Sequence, residues 1–286
     1  MFKIGFMPMG NMMQWPAEKL CGFVREAGYD AIELQAWMLS SEGKTEADRK
    51  KFVSAARENR LLISELVTQR DFVQKEEEAR RAAVDEVIAN IRVAAEMGVD
   101  TINLYTGPVP WAGDPLVVGR DVTQSQAWDW VFAAFDRLIP VAEENRVRLA
   151  VENVWGMLCH DFFTHQYLQA RYDSPWLGVN FDPSHDVLCG HMDMRFLVRG
   201  WREKIFHVHL KDAVGVPEMG RFVFPLLGEG TVDFPALFAA LKESGYDGVL
   251  SVEFESWGHL KNSLDGRFED AAPLSREIIG KWMRAC

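Results

Sequence analysis

The stretch V-N-F-D-P-S-H, Val179 to His185, decides how this chain is read. Asn180 and Asp182 share a parity at the end of an apolar run, Pro183 ends the strand, and His185 follows within reach of the same point. A strand that ends in this way presents its carboxylate where a loop can complete a site. Three other runs end alike: Leu149–Asn153 with Glu152, Ile205–Asp212 with His207 and His209, and Val249–Glu255 with Glu253. One such residue alone reads as a solvated loop carboxylate or a hydrogen-bonded core histidine. Four strand ends offering Glu, Asp, His and Glu read as a site.

Around these runs the chain alternates. Strand patterns cover Lys3–Pro8, Ala31–Gln35, Leu62–Thr68, Thr101–Gly107, Arg148–Val154, Leu177–Pro183, Ile205–Asp212 and Val249–Glu255. Glu33 lies inside an otherwise apolar run. Between the strands, helical patterns run from Pro16 to Gly28, Thr45 to Arg60, Lys75 to Gly98, Gln124 to Arg146 with Pro140 expected to kink or divide it, His160 to Tyr172, Asp193 to Trp201 and Phe234 to Gly245. A closing helix spans Ala271 to Arg284. Eight strands alternating with eight helices, with no glycine or serine linker, predict parallel strands joined by right-handed crossovers: a (β/α)8 TIM barrel, one α/β domain over residues 1–286. The junctions A-G-Y-D at Ala27, M-G-V-D at Met97 and S-G-Y-D at Ser244 mark the N-terminal rim as turn signals. Catalysis belongs at the opposite rim, where Glu152, Asp182, His209 and Glu253 gather.

Composition agrees with a globular protein. Of 286 residues, 48% are hydrophobic and 26% charged, enough apolar material for a large core. With 31 basic against 42 acidic residues the net charge is -11, which disfavours nucleic acid as a partner. Cys21, Cys159, Cys189 and Cys286 show no C-x-x-C spacing and read as reduced thiols. No apolar run reaches the length of a signal peptide core or a membrane span, so the expected location is the cytoplasm, with no membrane contact. The number of subunits, and with it any homo-oligomer, stays open.

Three carboxylates aimed at one axis repel each other; a pair at 4 Å costs about 4 kcal/mol at an effective dielectric of about 20. One bound divalent cation removes that cost. Three oxygen donors and one imidazole favour an octahedral Mn²⁺, Mg²⁺ or Co²⁺ site, with Zn²⁺ also admissible, and leave positions open for substrate. His207, one layer deeper, reads as packing or support rather than a ligand. Lys211 is either a polar substrate contact or a rim salt bridge. The long segment 108–123 is either a lid or a surface loop packed by Trp111, and Trp111 and Trp155 are expected to wall the pocket. Gly228 and Gly230 read as a tight turn before a helix in preference to a phosphate cradle.

The runs V-E-N at Val151, N-F-D-P-S-H at Asn180, H-V-H-L-K-D at His207, L-G-E-G at Leu227 and S-V-E at Ser251 resemble the sugar phosphate isomerase/epimerase superfamily of xylose isomerase-like TIM barrels, the AP endonuclease family 2 type. The resemblance implies a metal held by Glu152, Asp182, His209 and Glu253, with His185 as a substrate-oxygen ligand. It implies carbohydrate chemistry, isomerisation or epimerisation of a small sugar, sugar phosphate or related hydroxy-carbonyl compound: the metal acidifies a carbon-bound proton and stabilises an enediolate, while Glu152 and Glu253 remove and return the proton. Ketose 3-epimerases place a second glutamate where this chain has Leu158 and an arginine where it has Gly215; Trp155 and Arg221 are candidate substrate contacts in their stead. A dehydratase of an inosose or dehydroshikimate is the alternative. An endonuclease IV type of phosphodiesterase would need early histidines, and none precedes His160. A barrel that binds without catalysis is the non-enzymatic reading.

Overall fold

Each of the eight strand patterns forms a strand, and the eight close on one another. The computed structural model describes residues 2–283, so Met1, Cys286 and the Arg284 end of the expected closing helix lie outside the described residues. The barrel strands are β1 (Lys3–Phe6), β2 (Ala31–Gln35), β3 (Leu62–Val67), β4 (Thr101–Leu104), β5 (Arg148–Glu152), β6 (Leu177–Phe181), β7 (Ile205–Leu210) and β10 (Val249–Val252). All eight neighbouring pairs are parallel, and β10 returns to β1 to complete the closed barrel. Between them run α1 (Ala17–Glu26), α3 (Glu46–Glu58), α4 (Glu77–Met97), α5 (Gln124–Asn145), α6 (Phe162–Arg171), α8 (Met194–Trp201), α9 (Phe234–Glu243) and the closing α11 (Phe268–Met283).

Local chemistry explains the boundaries. Thr45 and Thr123 each close a reciprocal capping box at the start of α3 and α5. Gly98, with φ of +71°, ends α4 in the left-handed conformation that a side chain resists. The Asp residues of two N-terminal rim junctions tie strand to strand: Asp30 accepts the Ile4 amide at 3.1 Å, and Asp100 meets Arg148 at 2.9 Å. Burial is deepest where α-helices cover the barrel, around Tyr29, Phe72, Phe135, Phe181 and Trp201. Among the described residues no helix is long and apolar enough to cross a membrane. Cys21, Cys159 and Cys189 are free thiols.

Three expectations are corrected. Pro140 does not divide α5, which runs unbroken through it; the proline is exposed. Most strands stop one to three residues short of the sequence pattern, because beyond Glu152, Phe181 and Val252 the ladder gives way to side-chain contacts. The C-terminal rim is richer than strand plus loop. Short helices α2 (Trp37–Ser40), α7 (Pro183–Leu188) and α10 (Trp257–Ser263) follow β2, β6 and β10, and a hairpin of β8 (Val214–Gly215) and β9 (Phe222–Val223) rises after β7. Pro183 therefore starts a helix as well as ending a strand, with its fixed φ at the first helical position and Asp182 as the cap.

Candidate metal centre and active site

Glu152 ends β5 and sits beside Asn180 of β6 in register. Its Oε2 accepts from Gln69 Nε2 at 2.9 Å and Asn103 Nδ2 at 3.1 Å, which leaves Oε1 facing His209 Nδ1 at 3.2 Å. Asp182 is fixed by the residue that follows β5. Asn153 Oδ1 accepts the Asp182 amide at 2.9 Å, while Asn153 Nδ2 donates to the Asp182 carbonyl at 2.7 Å and to Asp186 at 2.9 Å. Capping α7 occupies Asp182 Oδ1 with the Ser184 amide, so Oδ2 is the oxygen turned to the cluster. One turn into α7, His185 Nε2 lies 3.3 Å from that Oδ2 and 3.9 Å from Glu152. Glu253, just past β10, brings Oε2 within 3.4 Å of His209 Nδ1.

The four expected metal ligands thus converge. Ligand atoms of Glu152, Asp182, His209 and Glu253 all lie within 4.8 Å of one another. Two donors on opposite sides of a divalent ion, each at about 2.0 to 2.4 Å, are about 4 to 4.8 Å apart, so the donor set fits one ion. Charge argues the same way: three carboxylates from these four residues, with Glu255 beside them, face a single ammonium, Lys211.

Lys211 proves to be more than a rim contact. It is 3% exposed and its Nζ lies 2.9 Å from Asp182, 2.5 Å from Glu253 and 3.1 Å from Glu255. Burial alone would neutralise it, but these carboxylates raise its pKa well above the usual value. Burial likewise works to raise Glu253, and Lys211 and His209 outweigh it, holding that carboxyl well below its ordinary range. Glu255 is pushed up to about 7 by burial despite Lys211. Burial depresses His185 to about 3, with Lys211 adding to the effect, so its imidazole is neutral at neutral pH.

Beneath this cluster lies a second acidic layer that strand parity did not single out. Glu33 of β2 and Glu65 of β3 are fully buried inside the barrel with His207 and His209. His209 Nε2 is 3.1 Å from Glu33 and 3.7 Å from Glu65, and His207 Nδ1 is 3.3 Å from Glu65 and 3.1 Å from Asn180 Oδ1. Burial and the charge of Glu33 push Glu65 up to about 8. Burial lowers His207 to about 3. On His209 burial also opposes charge, but Glu33, Glu152 and Glu253 prevail and raise it well above the ordinary value. With Nε2 turned to the Glu33 carboxylate, Nδ1 is the ring nitrogen that would hold a metal beside Glu152 and Glu253. The sequence signal for this layer was a glutamate inside an apolar strand, A-I-E-L and S-E-L-V, the same signal that marked Glu152.

The cavity above the cluster measures about 930 Å³ and is lined by Trp111, Trp155, His185, Lys211, Glu152 and Glu253 among others. Trp111 and Trp155 face each other at 6.2 Å between ring centroids, with Trp155 packed on Phe222 at 4.7 Å. Segment 108–123 therefore reaches over the mouth. Arg221 does not join the site: it is exposed at the hairpin tip, its guanidinium on Glu218 at 2.7 Å, because a tight turn points it outward. At Gly215, with φ of +124°, a Cβ would stand 2.2 Å from the Arg221 carbonyl oxygen, so the hairpin admits no arginine there. Leu158, at the other departure, is buried. The Gly228–Gly230 loop is a turn. Asp212 Oδ2 accepts the amides of Gly228 at 2.9 Å and Gly230 at 2.8 Å, and Oδ1 accepts those of Ala213 at 2.9 Å and Val232 at 3.0 Å.

Known proteins agree with this architecture. An inosose dehydratase from Clostridium perfringens is 25% identical over 164 residues, covering 53% of this chain and 55% of the enzyme, so the chain spans about half the length of that relative. The 3-keto-D-glucoside 4-epimerase of E. coli shares the fold with a TM-score of 0.77 at 17% identity, each chain covered in full. The IOLI protein, solved with a binding zinc atom, superposes with a TM-score of 0.71 at 18% identity over 96% of this chain and 95% of its own. A family profile described as "Xylose isomerase-like TIM barrel" matches residues 21–285. The closed eight-stranded barrel and this match over most of its length establish that the chain belongs to the xylose isomerase-like TIM barrel family.

Proposed function

We propose that the protein is a divalent-metal-dependent isomerase or epimerase of a small hydroxy-carbonyl compound of sugar type, working in the cytoplasm. The observation that carries this reading is the convergence of Glu152, Asp182, His209 and Glu253 within 4.8 Å at the C-terminal rim, beneath a cavity. Mn²⁺, Mg²⁺ or Co²⁺ suits three oxygens and one imidazole, and Zn²⁺ is a fourth candidate. When bound, the ion supplies Lewis-acid polarisation of a carbonyl. The chain's own residues do the rest. Glu152 and Glu253, which both face His209 Nδ1, carry the proton between substrate carbons or faces. His185, neutral and with Nε2 beside the Asp182 and Glu152 carboxylates, is placed to meet a substrate oxygen. Trp111 and Trp155 exclude water from the proton transfer.

A dehydratase is the second reading, favoured by Leu158 and by the closed backbone at Gly215, which lack the extra glutamate and arginine of ketose 3-epimerases. The named activity of the Clostridium perfringens relative points the same way. One experiment separates them. Metal-loaded protein is screened with ketoses, aldoses, inososes and their phosphates for proton exchange from D₂O, alongside Glu152→Gln and Glu253→Gln. Loss of at least about 10²-fold in both variants at saturating metal supports isomerisation, and loss in one only supports elimination. Full turnover in either variant, or incision of abasic-site DNA at a rate matching the best sugar, would refute the isomerase reading.

A further inference from the structure

Shortly after Glu253 the chain enters α10, and one face of that helix is unused by the metal centre. His259, Asn262 and Ser263 stand at i, i+3 and i+4, a spacing that gathers their side chains on one face. All three line the cavity above the metal centre. Among the described residues none of the three side chains has a hydrogen-bond or ion-pair partner. His259 is half-buried, and Asn262 and Ser263 are exposed. The helix that presents them is itself held in place. Ser256 Oγ donates to the Pro225 carbonyl at 2.6 Å, Trp257 packs edge-on to Phe268 at 5.8 Å between ring centroids, and Leu260 is buried in the core. Unpaired groups on a fixed element are positioned before a ligand arrives, which lowers the ordering cost of binding.

The cavity therefore offers two kinds of surface. Trp111, Trp155, Phe222 and Phe224 supply aromatic rings, and α10 supplies hydrogen-bonding groups. An imidazole, an amide and a hydroxyl can each donate and accept, while Glu229 and Glu255 in the same lining add acceptors. A hydroxyl group matches that mixture, because it too both donates and accepts. A phosphate would find donors on α10 but would share the cavity with those two carboxylates. A polyhydroxylated chain or ring can turn its C–H faces to the aromatic rings and its oxygens to α10. Room is available for it: a hydroxy-carbonyl unit at Glu152 and Glu253 occupies the floor and leaves most of the roughly 930 Å³ for the rest of the molecule.

We propose that α10 is the recognition wall for the part of the substrate that does not react, with His259, Asn262 and Ser263 binding the hydroxyl groups of a polyhydroxylated tail. This rests on the proposed proton-transfer reading for placing the reactive end at Glu152 and Glu253, but not for the contacts of the tail. Dihydroxyacetone has the hydroxy-carbonyl head and no tail. It is titrated calorimetrically into Mn²⁺-loaded protein beside D-fructose, D-psicose, D-tagatose and D-sorbose and the 6-phosphates of D-fructose and D-tagatose, with deuterium exchange from D₂O followed in parallel. At least one ketohexose is expected to bind at least about 10-fold more tightly than dihydroxyacetone. The triple variant His259→Ala, Asn262→Ala, Ser263→Ala, whose alanines suit a helix, should melt with the parent and bind Mn²⁺ as tightly. In it the ketohexose-to-dihydroxyacetone ratio should fall at least about 5-fold, and in Asn262→Ala alone about 3-fold. Absence of any ketohexose preference in the parent, a preference that the triple variant keeps, or a gain confined to the 6-phosphates would overturn the inference. A tail preference lost in the variants but accompanied by no deuterium exchange keeps α10 in this role and refutes the proton-transfer reading, whereas exchange without tail preference does the reverse.

Discussion

Glu33 holds His209 from behind: its Oε1 lies 3.1 Å from His209 Nε2, while the other ring nitrogen faces Glu152 at 3.2 Å. A carboxylate at Nε2 keeps the proton there and leaves Nδ1 as a donor to a metal. Glu33→Gln should therefore weaken Mn²⁺ binding about 10- to 100-fold by calorimetric titration. Glu65→Gln is the contrast. Glu65, at about 8, is already protonated at neutral pH, so the amide replaces a neutral group and affinity should stay near the parent value. Equal losses in the two variants would show that the layer acts by packing alone.

Lys211 is the internal counterion of the carboxylate cluster. Removing one partner of a buried charged network leaves the others unpaired and costs about 3 to 5 kcal/mol. Lys211→Met should melt well below the parent protein in EDTA, and Mn²⁺ should recover much of the difference by replacing the lost charge. If both proteins melt together in EDTA, the ammonium does not neutralise the site.

Asp212 gathers four backbone amides onto one carboxylate. Asp212→Ala strands those donors at a cost of about 3 kcal/mol, and the hairpin should become the first site cut in limited proteolysis. Inorganic phosphate should not raise the melting temperature of the parent protein, because its would-be cradle is filled. A proteolysis pattern unchanged by the substitution would contradict this account.

His165 on α6 is fully buried, and burial lowers it from 6.5 to about 4. Below pH 6.5 the unfolded chain takes up a proton that the folded chain refuses, so stability falls as pH drops from about 6.5 toward about 4. Relative to His165→Leu, the parent should lose about 2 kcal/mol between pH 7 and pH 5 in urea titrations. Parallel pH profiles for the two proteins would mean that the ring is already charged, or solvated, in the fold.

The strands and the four converging residues were legible because strand parity and apolar runs survive in local sequence. Glu152, Asp182, His209 and Glu253 each end such a run, and the alternation of strand and helix placed those ends on one rim. What local pattern could not carry was contact between distant strands. Glu33 and Glu65 gain their meaning from His209, which lies 176 residues from Glu33. Nothing in V-E-N announces that Asn153 clamps Asp182, since that bond exists only once β5 and β6 are neighbours. Arg221 was misplaced for a related reason: a basic residue near a strand end resembles a ligand contact until the turn at Glu218 fixes its direction. Lys211 was left between two roles because a lysine's charge partners are chosen in three dimensions.

The anchoring of the hairpin base on Asp212 has a consequence for how such barrels diverge. The base of the hairpin is welded to the same strand end that carries His209, whereas the tip, residues 216–221, is bonded chiefly within itself. Inherited changes confined to those six residues would reshape the mouth while the chemistry below stays intact. A lineage built on this barrel can therefore exchange one diet for another by rewriting a single short exposed turn.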